Sequence, residues 1–315
     1  MEFYFQEGLA PSTQRACSSA ENRYVNVCRK YNLTPLPVSE NQLCQYISFL
    51  ANQNIAYSTM KVYLSAIRHM QIAFRLPDPN ISGMARLEQV LKGIKRSQAK
   101  RNQSPRARLP ITSDLMRKMR KILEQDKKDE DNIMVWAAMC LCFFGFLRAG
   151  EMTIPSESGF DAGAHLTYGD IAVDSVADPN TLRVRIKASK TDPFRKGINV
   201  FLGRTHSQLC PVEAMMAFLA IRGDKAGFLF QFKDGRNLTK DRFIKKVRDL
   251  LQKAGVDASR YAGHSFRIGA ATTASQCGIG EATIKMLGRW ESSAYLLYIK
   301  TPRDHLAGIS ALMCK

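Results

Sequence analysis

The sequence predicts a mainly α-helical protein with one small antiparallel β-sheet, divided into two domains, and three observations carry that prediction. Apolar residues recur at helical spacing, as at Tyr63, Ile67, Met70 and Phe74. Apolar and basic residues alternate strictly through Leu182, Arg183, Val184, Arg185, Ile186 and Lys187, the mark of a half-buried strand with a basic outer face. Between the helical stretches lies KRSQAKRNQSPRARLP, Lys95 to Pro110, which is basic and has almost no apolar content. The expected division is a helical domain over 1–97, a linker over 98–110 and a larger domain over 111–315.

In the first domain, Ser39 is placed to cap a helix, with Gln42 completing a capping box and Leu43, Ile47 and Leu50 forming the apolar stripe. Ser58 opens a second helix that Pro77 stops, and a third runs from Ser82 through Leu87, Leu91 and Ile94. After residue 111, helices are expected near 113–124 and 132–147. The second contains the apolar run Ile133 to Leu147, whose 15 residues with Gly145 are too few to span a bilayer and suit a buried core helix. DPFRKG, Asp192 to Gly197, supplies turn residues and INVFL a returning strand, so Lys190 is expected near the tip of a β-hairpin. Pro211 and Gly223 bracket one further helix, and Thr239 and Gly255 another.

The composition narrows the function classes. In 315 residues, 45% hydrophobic content with 23% charged argues against disorder and for packed cores. The 46 Lys and Arg against 28 Asp and Glu give a formal charge of +18, which self-repels unless a polyanion or anionic surface is the partner. MEFYFQEGLAPSTQ has no basic segment followed by an apolar one, so a reducing intracellular compartment is expected. The eight Cys form no CxxC pair, and Cys140 and Cys142 read as core thiols inside the apolar run. There is no Walker loop, no clustered carboxylates for two magnesium ions and no His/Cys set at zinc spacing, so no cofactor and no metal are expected.

Four short signals follow one another in the second domain: FLRAGE with Arg148 and Glu151, KASKTD with Lys190, GHSFRIG with His264 and Arg267, and LGRWESSAYLLY with Trp290 and Tyr298. Taken singly, each has a structural reading. Arg148 ends an apolar helix, His264 and Arg267 are neighbours on one helical face, and Tyr298 belongs to an aromatic and leucine stripe. In this order, however, the set resembles the tyrosine recombinase and integrase family. GHSFRIGAATTA and LGRW-x-S-x-A-Y-x-x-Y further resemble the recombinases of eukaryotic mobile elements of the DIRS and Ngaro kind, and YSTMKVYLSAIRH resembles the family's core-binding domain.

The resemblance implies a two-domain, C-shaped clamp on double-stranded DNA and strand cleavage through a 3′-phosphotyrosyl intermediate at Tyr298. It implies that Arg148 and Arg267 clamp the phosphate, that Lys190 acts as general acid, and that His264 and Trp290 fill the remaining catalytic positions. Glu151 would orient Arg148. One departure stands out: the family's His/Trp residue directly follows Leu-Gly, where Arg289 stands here, and Trp290 is one place later. Either residue can hold that position, and Tyr295 is a nearby rival nucleophile. The residue types suit the reaction. Each guanidinium forks to two phosphate oxygens, whereas only about one tyrosine in a thousand is phenolate at pH 7 and needs a cationic field.

The basic residues expected to meet DNA are Lys61, Arg68, Arg86, Lys92, Lys95, Arg96, Lys100, Arg101, Arg106, Arg108, Arg183 and Arg185. The resemblance also implies a homo-tetramer on paired sites with weak self-association without DNA, the tail face of Leu306, Ile309 and Met313 docking on a neighbour, mobilisation of a transposable element, and work in the host-cell nucleus. Two other readings compete. One is a non-catalytic DNA-binding protein derived from a recombinase, and the other is a type IB topoisomerase-like enzyme.

Overall fold

The computed structural model describes residues 2–101, 107–126, 129–189, 192 and 194–299, which fall into two compact units, Met1–Arg106 and Ala107–Lys315. The first unit is helical: α1 (Glu2–Glu7), α2 (Pro11–Lys30), α3 (Glu40–Asn52), α4 (Tyr57–Ala73) and α5 (Ala85–Lys100). Its core gathers Tyr24, Leu43, Ile47, Leu50, Met60, Ile67 and Leu87. Ser39 caps α3 as expected, its hydroxyl accepting the Gln42 N–H at 3.3 Å. The reciprocal arm of the box is not made, because the Gln42 amide donates instead to the Thr34 carbonyl at 2.9 Å.

Helix α4 starts one residue before Ser58, with Ala56 in the capping position and no side-chain cap. The Tyr57 N–H is satisfied from elsewhere, by Gln98 Oε1 at 2.9 Å, while Gln98 Nε2 donates to the Ile55 carbonyl at 2.7 Å. Residues 98–100, expected in the linker, therefore belong to α5 and brace the start of α4. The buried stripe of α4 is Met60, Leu64, Ile67 and Met70, which leaves Tyr63 half-buried and Phe74 exposed. Helix α5 begins at Ala85 rather than Ser82, and α2 was not anticipated.

The second unit holds α6 (Ser113–Leu123), α7 (Glu130–Phe144), α8 (Ala149–Met152), strands β1 (Ile171–Val173), β2 (Thr181–Ile186) and β3 (Ile198–Gly203), then α9 (Pro211–Arg222), α10 (Lys240–Lys253), α11 (Ser265–Gln276) and α12 (Glu281–Leu287). Every residue of α7 from Met134 to Phe143 is buried, which fits its apolar sequence on all faces. Burial pushes the Cys140 and Cys142 thiols far above the ordinary range. Among the described residues, no helix is long and apolar enough to cross a membrane.

The strands form one antiparallel sheet in the order β1-β2-β3. Leu182, Val184 and Ile186 are buried while Arg183 and Arg185 are exposed, so the alternation reads directly into the two faces. Strand β1, only three residues long, was not anticipated. Pro211 opens α9 and Gly223 follows it at φ 65°, while Thr239 caps α10 and Gly255 follows at φ 75°.

Helix α7 stops at Phe144, short of the expected 147. A Cβ on Gly145 would stand 2.7 Å from the Leu141 carbonyl oxygen, and Phe146 turns the chain at φ 49°. This break sets Arg148 at the head of α8.

Candidate active site

The site grows from the start of α8. Arg148 and Glu151 close reciprocally on one turn: the Arg148 N–H donates to Glu151 Oε2 at 3.0 Å, and its guanidinium Nη1 donates to Oε1 at 2.7 Å. Glu151 is buried, while Arg148 keeps part of its side chain in solvent. The buried carboxylate thus fixes the direction of a partly exposed arginine.

Helix α11 supplies the second arginine. A Cβ on Gly269 would stand 1.7 Å from the Ile111 carbonyl oxygen, so only glycine lets the helix lie against that backbone, where Ile111 N–H donates to the Ser265 carbonyl at 2.9 Å. That close approach sinks Arg267 completely. Its Nη1 donates to the Phe146 carbonyl at 3.0 Å, its Nη2 to the Gly288 carbonyl, and its guanidinium carbon lies 4.3 Å from the centre of a Trp290 ring. His264, at the head of the same helix, is exposed, so the two residues of the His-x-x-Arg motif differ sharply in burial.

After α12 the chain reverses at Arg289, which sits at φ 55°. Its Nη2 donates to Glu151 Oε2 at 2.8 Å and to the Phe146 carbonyl at 3.3 Å. Gly288 makes room beside it: a Cβ there would fall inside the Trp290 ring, 1.6 Å from one carbon. A short turn, Ser293–Leu297, then delivers Tyr298, whose carbonyl accepts the Thr272 hydroxyl of α11 at 3.1 Å. The Tyr298 ring lies 5.3 Å from Trp290 and 6.3 Å from His264, centre to centre.

Three arginines therefore surround one carboxylate. Burial first, then the field of Arg148, lowers the Arg267 guanidinium to about 10, with Glu151 and Tyr298 acting the other way. Burial likewise lowers Arg289, against the pull of Glu151. Arg267 Nε and Arg289 Nη1 are buried donors with no acceptor among the described residues. Buried N–H groups of charged residues are seldom left so, and a cluster with surplus positive charge and spare donors is suited to an anion. The same chemistry does not suit a metal cation, and among the described residues no group of three or more His, Cys, Asp or Glu gathers to hold one.

Tyr295 is differently placed from Tyr298. Its hydroxyl donates to Glu281 Oε2 at 2.8 Å, and that bond raises its pKa by holding the proton. The structure thus brings Arg148, Glu151, His264, Arg267, Arg289, Trp290 and Tyr298 together. Lys190 lies outside the described residues, as do Arg106 and the tail residues Leu306, Ile309 and Met313. Lys187, three residues before Lys190, is an internal tie, its Nζ 2.7 Å from Asp170 Oδ2. The shared Phe146 carbonyl and the packing of Gly288 gave no sequence signal beyond the glycine in Leu-Gly-Arg-Trp.

Among the basic residues expected to meet DNA, Lys61, Arg86, Lys95, Arg96, Lys100, Arg101, Arg183 and Arg185 are exposed. Arg68 is bonded by Nε and Nη2 to Asp78, and Lys92 pairs with Glu88 at 2.8 Å. Arg108 Nη1 donates to the Ser259 carbonyl at 3.2 Å. For Arg68 and Lys92 the carboxylate partner reduces the charge left for a polyanion, whereas Arg108 keeps its full charge and is only turned toward its own domain.

No protein-family model matches the chain. It is 23% identical over 299 residues to an integrase/recombinase XerD homologue of Selenomonas ruminantium, covering 91% of this chain and 80% of that protein. Among solved structures it is similar to the XerH site-specific recombinase bound to its palindromic difH substrate (TM-score 0.63, 14% identity, 94% of this chain and 77% of that one). It is also similar to the Tn1549 transposon integrase in complex with transposon right-end DNA (TM-score 0.60, 13% identity, 95% and 93%). A third is a lambda integrase dimer bound to a core site (TM-score 0.59, 14% identity, 93% and 90%). The fold is the tyrosine recombinase fold, mainly helical with a small three-stranded antiparallel sheet.

Proposed function

We propose that this chain, built on the tyrosine recombinase fold, breaks and rejoins DNA strands at specific sites with Tyr298 as nucleophile. The observation that carries the reading is the cluster of Arg148, Arg267 and Arg289 about Glu151, with two buried N–H groups lacking acceptors among the described residues and the Tyr298 ring beside Trp290. A phosphodiester repels nucleophiles and gains charge on its equatorial oxygens as it is attacked. Guanidiniums held in place strengthen as that charge develops, so they favour the transition state over the ground state.

In this reaction the Tyr298 Oη attacks phosphorus and gives its proton to His264. The P–Oη bond forms and the bond to the deoxyribose 5′-oxygen breaks, that oxygen taking a proton from Lys190 as it leaves. The 3′-phosphotyrosyl link keeps the phosphodiester free energy, so a 5′-hydroxyl from another strand reverses the step without ATP. Arg183, Arg185 and the exposed cations of the first unit contact backbone phosphates. The first unit acts as the DNA-clamp domain, its last helix running to Lys100, with the basic segment beyond it to residue 110 as its link to the catalytic domain.

The substrate is proposed to be the ends of a mobile element of the DIRS or Ngaro kind, acted on in the host-cell nucleus by a tetramer that assembles on paired sites. GHSFRIGAATTA supports the element class, and the transposon integrase among the similar structures is consistent with it. The test uses wild type, Tyr298→Phe and Tyr295→Phe with nicked suicide duplexes of candidate element ends, read on denaturing gels. A protein–DNA adduct is expected in wild type and Tyr295→Phe and not in Tyr298→Phe. Adduct lost in Tyr295→Phe instead would reassign the nucleophile, and salt-sensitive binding with no adduct on any end would favour a non-catalytic clamp.

A further inference from the structure

The position after Leu-Gly carries an arginine, and its surroundings differ from those of a structural cation. Arg289 closes α12 in the left-handed conformation, φ 55°, its N–H donating to the Met286 carbonyl at 2.9 Å and that of Trp290 to the Lys285 carbonyl at 3.0 Å, and its guanidinium turns back toward α8. One nitrogen, Nη2, is engaged by Glu151 Oε2 and the Phe146 carbonyl, whereas Nη1 is buried with no acceptor among the described residues. Arg267 donates to the same Phe146 carbonyl, and its Nε is the other buried donor without an acceptor. The two unused donors therefore belong to guanidiniums that share one carbonyl oxygen.

The charges do not balance either. Three guanidiniums face one carboxylate, and Glu151 already divides its two oxygens between Arg148 and Arg289. Trp290, the alternative for this position, is committed elsewhere: its ring covers the Arg267 guanidinium at 4.3 Å, packs against Gly288, and meets Phe146 at 6.3 Å. Its place is that of a shelf that keeps Arg267 in plane.

We propose that Arg289 is a third phosphate-binding arginine, which donates directly to a non-bridging oxygen of the scissile phosphate, while Trp290 acts as a positioning residue through Arg267. This rests on the strand-cleavage reading above and assigns within it a donor that the motif's resemblance left open between two residues. An arginine in this role brings a full charge to the oxygen, so its contribution depends on the charge that the phosphate carries.

That dependence makes the test. Adduct formation is timed for wild type, Arg289→Ala, Arg289→Lys and Trp290→Phe on a suicide duplex that wild type cleaves. The same duplex is then used with a methylphosphonate at the scissile position, which replaces one charged non-bridging oxygen by a neutral methyl group. Arg289→Ala is expected to lose about 100-fold on the phosphodiester, the usual cost of removing one transition-state donor. It should lose at least tenfold less on the methylphosphonate, and Arg289→Lys should fall between wild type and Arg289→Ala on the phosphodiester. Trp290→Phe, which acts through Arg267, should show a smaller loss of the same charge-selective kind. The comparison of two substrates within one preparation does not depend on the fraction of protein that is folded.

An equal loss on both substrates for Arg289→Ala would overturn the assignment while leaving the cleavage reading intact. So would a charge-selective loss in Trp290→Phe with none in Arg289→Ala. A wild-type protein that forms no adduct on any duplex would overturn the parent reading, and the assignment with it.

Discussion

Glu151 shows how much of this site depends on one side chain. Both its oxygens are engaged by arginines, at 2.7 Å and 2.8 Å, and its side chain is almost wholly out of solvent. Replacing it by alanine leaves two guanidiniums facing each other without a counter-charge. Glu151→Ala should therefore destabilise the second unit by about 3 kcal/mol or more, the usual cost of breaking a buried ion pair from one side. A midpoint in urea unchanged from wild type would contradict this. Arg267 yields a pH prediction. Its guanidinium is lowered to about 10, so its charge is complete below that pH and is lost as pH rises through it. The second-order rate constant for adduct formation, which reports the free protein, should fall above pH 10. At saturating DNA the fall should move higher, because a bound phosphate favours the charged form. A second-order profile with no falling limb up to pH 11 would rule out Arg267 as the titrating group.

At the scale of elements, the placement of Arg267 is a matter of how closely α11 meets the chain at Ile111. Gly269 allows that approach, since a Cβ there would stand 1.7 Å from a backbone oxygen that has no room to yield. Gly269→Ala should cost about 3 kcal/mol, at the upper end of core overpacking. It should also weaken cleavage more than binding, because it shifts the helix that carries both His264 and Arg267. Thermal unfolding and a filter-binding titration separate the two effects, and a variant with wild-type stability would contradict the packing argument. The glycines elsewhere in the site act differently: Gly288 accommodates the Trp290 ring, and Gly145 ends α7 so that Arg148 can head a new turn.

For the whole molecule the dominant quantity is the formal charge of +18. Its use is uneven, because some cations are tied to carboxylates and others face solvent. Arg183 and Arg185 project from the outer face of β2, whereas Arg68 is bonded to Asp78 through two nitrogens. Each phosphate contact contributes about −0.9 to the slope of log K against log salt. The double variant Arg183→Gln, Arg185→Gln should make that slope shallower by about 2, and Arg68→Gln by well under 1. Equal changes for the two variants, measured by fluorescence anisotropy across a salt series, would show that local pairing does not govern which cations meet DNA.

The sequence by itself determined the helical character, the two-faced strand, the caps at Ser39 and Thr239, the Pro211 start and the buried thiols, because each depends on local spacing or on the chemistry of single residues. It also set out, in order, Arg148, Glu151, His264, Arg267, Trp290 and Tyr298, which the fold assembles. It did not reveal α2, whose buried Ala20, Tyr24 and Cys28 form too sparse a stripe, or β1, whose three residues are too short for any period to register. Nor did it show that Gln98 braces α4, since that bond joins residues 41 apart. Only the tertiary structure decided how the candidates divide their work. It sank Arg267 beneath Trp290, engaged the Tyr295 hydroxyl with Glu281, and turned Arg289 onto Glu151. These are contacts between distant segments, fixed by a glycine-sized approach and one buried carboxylate, and linear spacing carries no record of either.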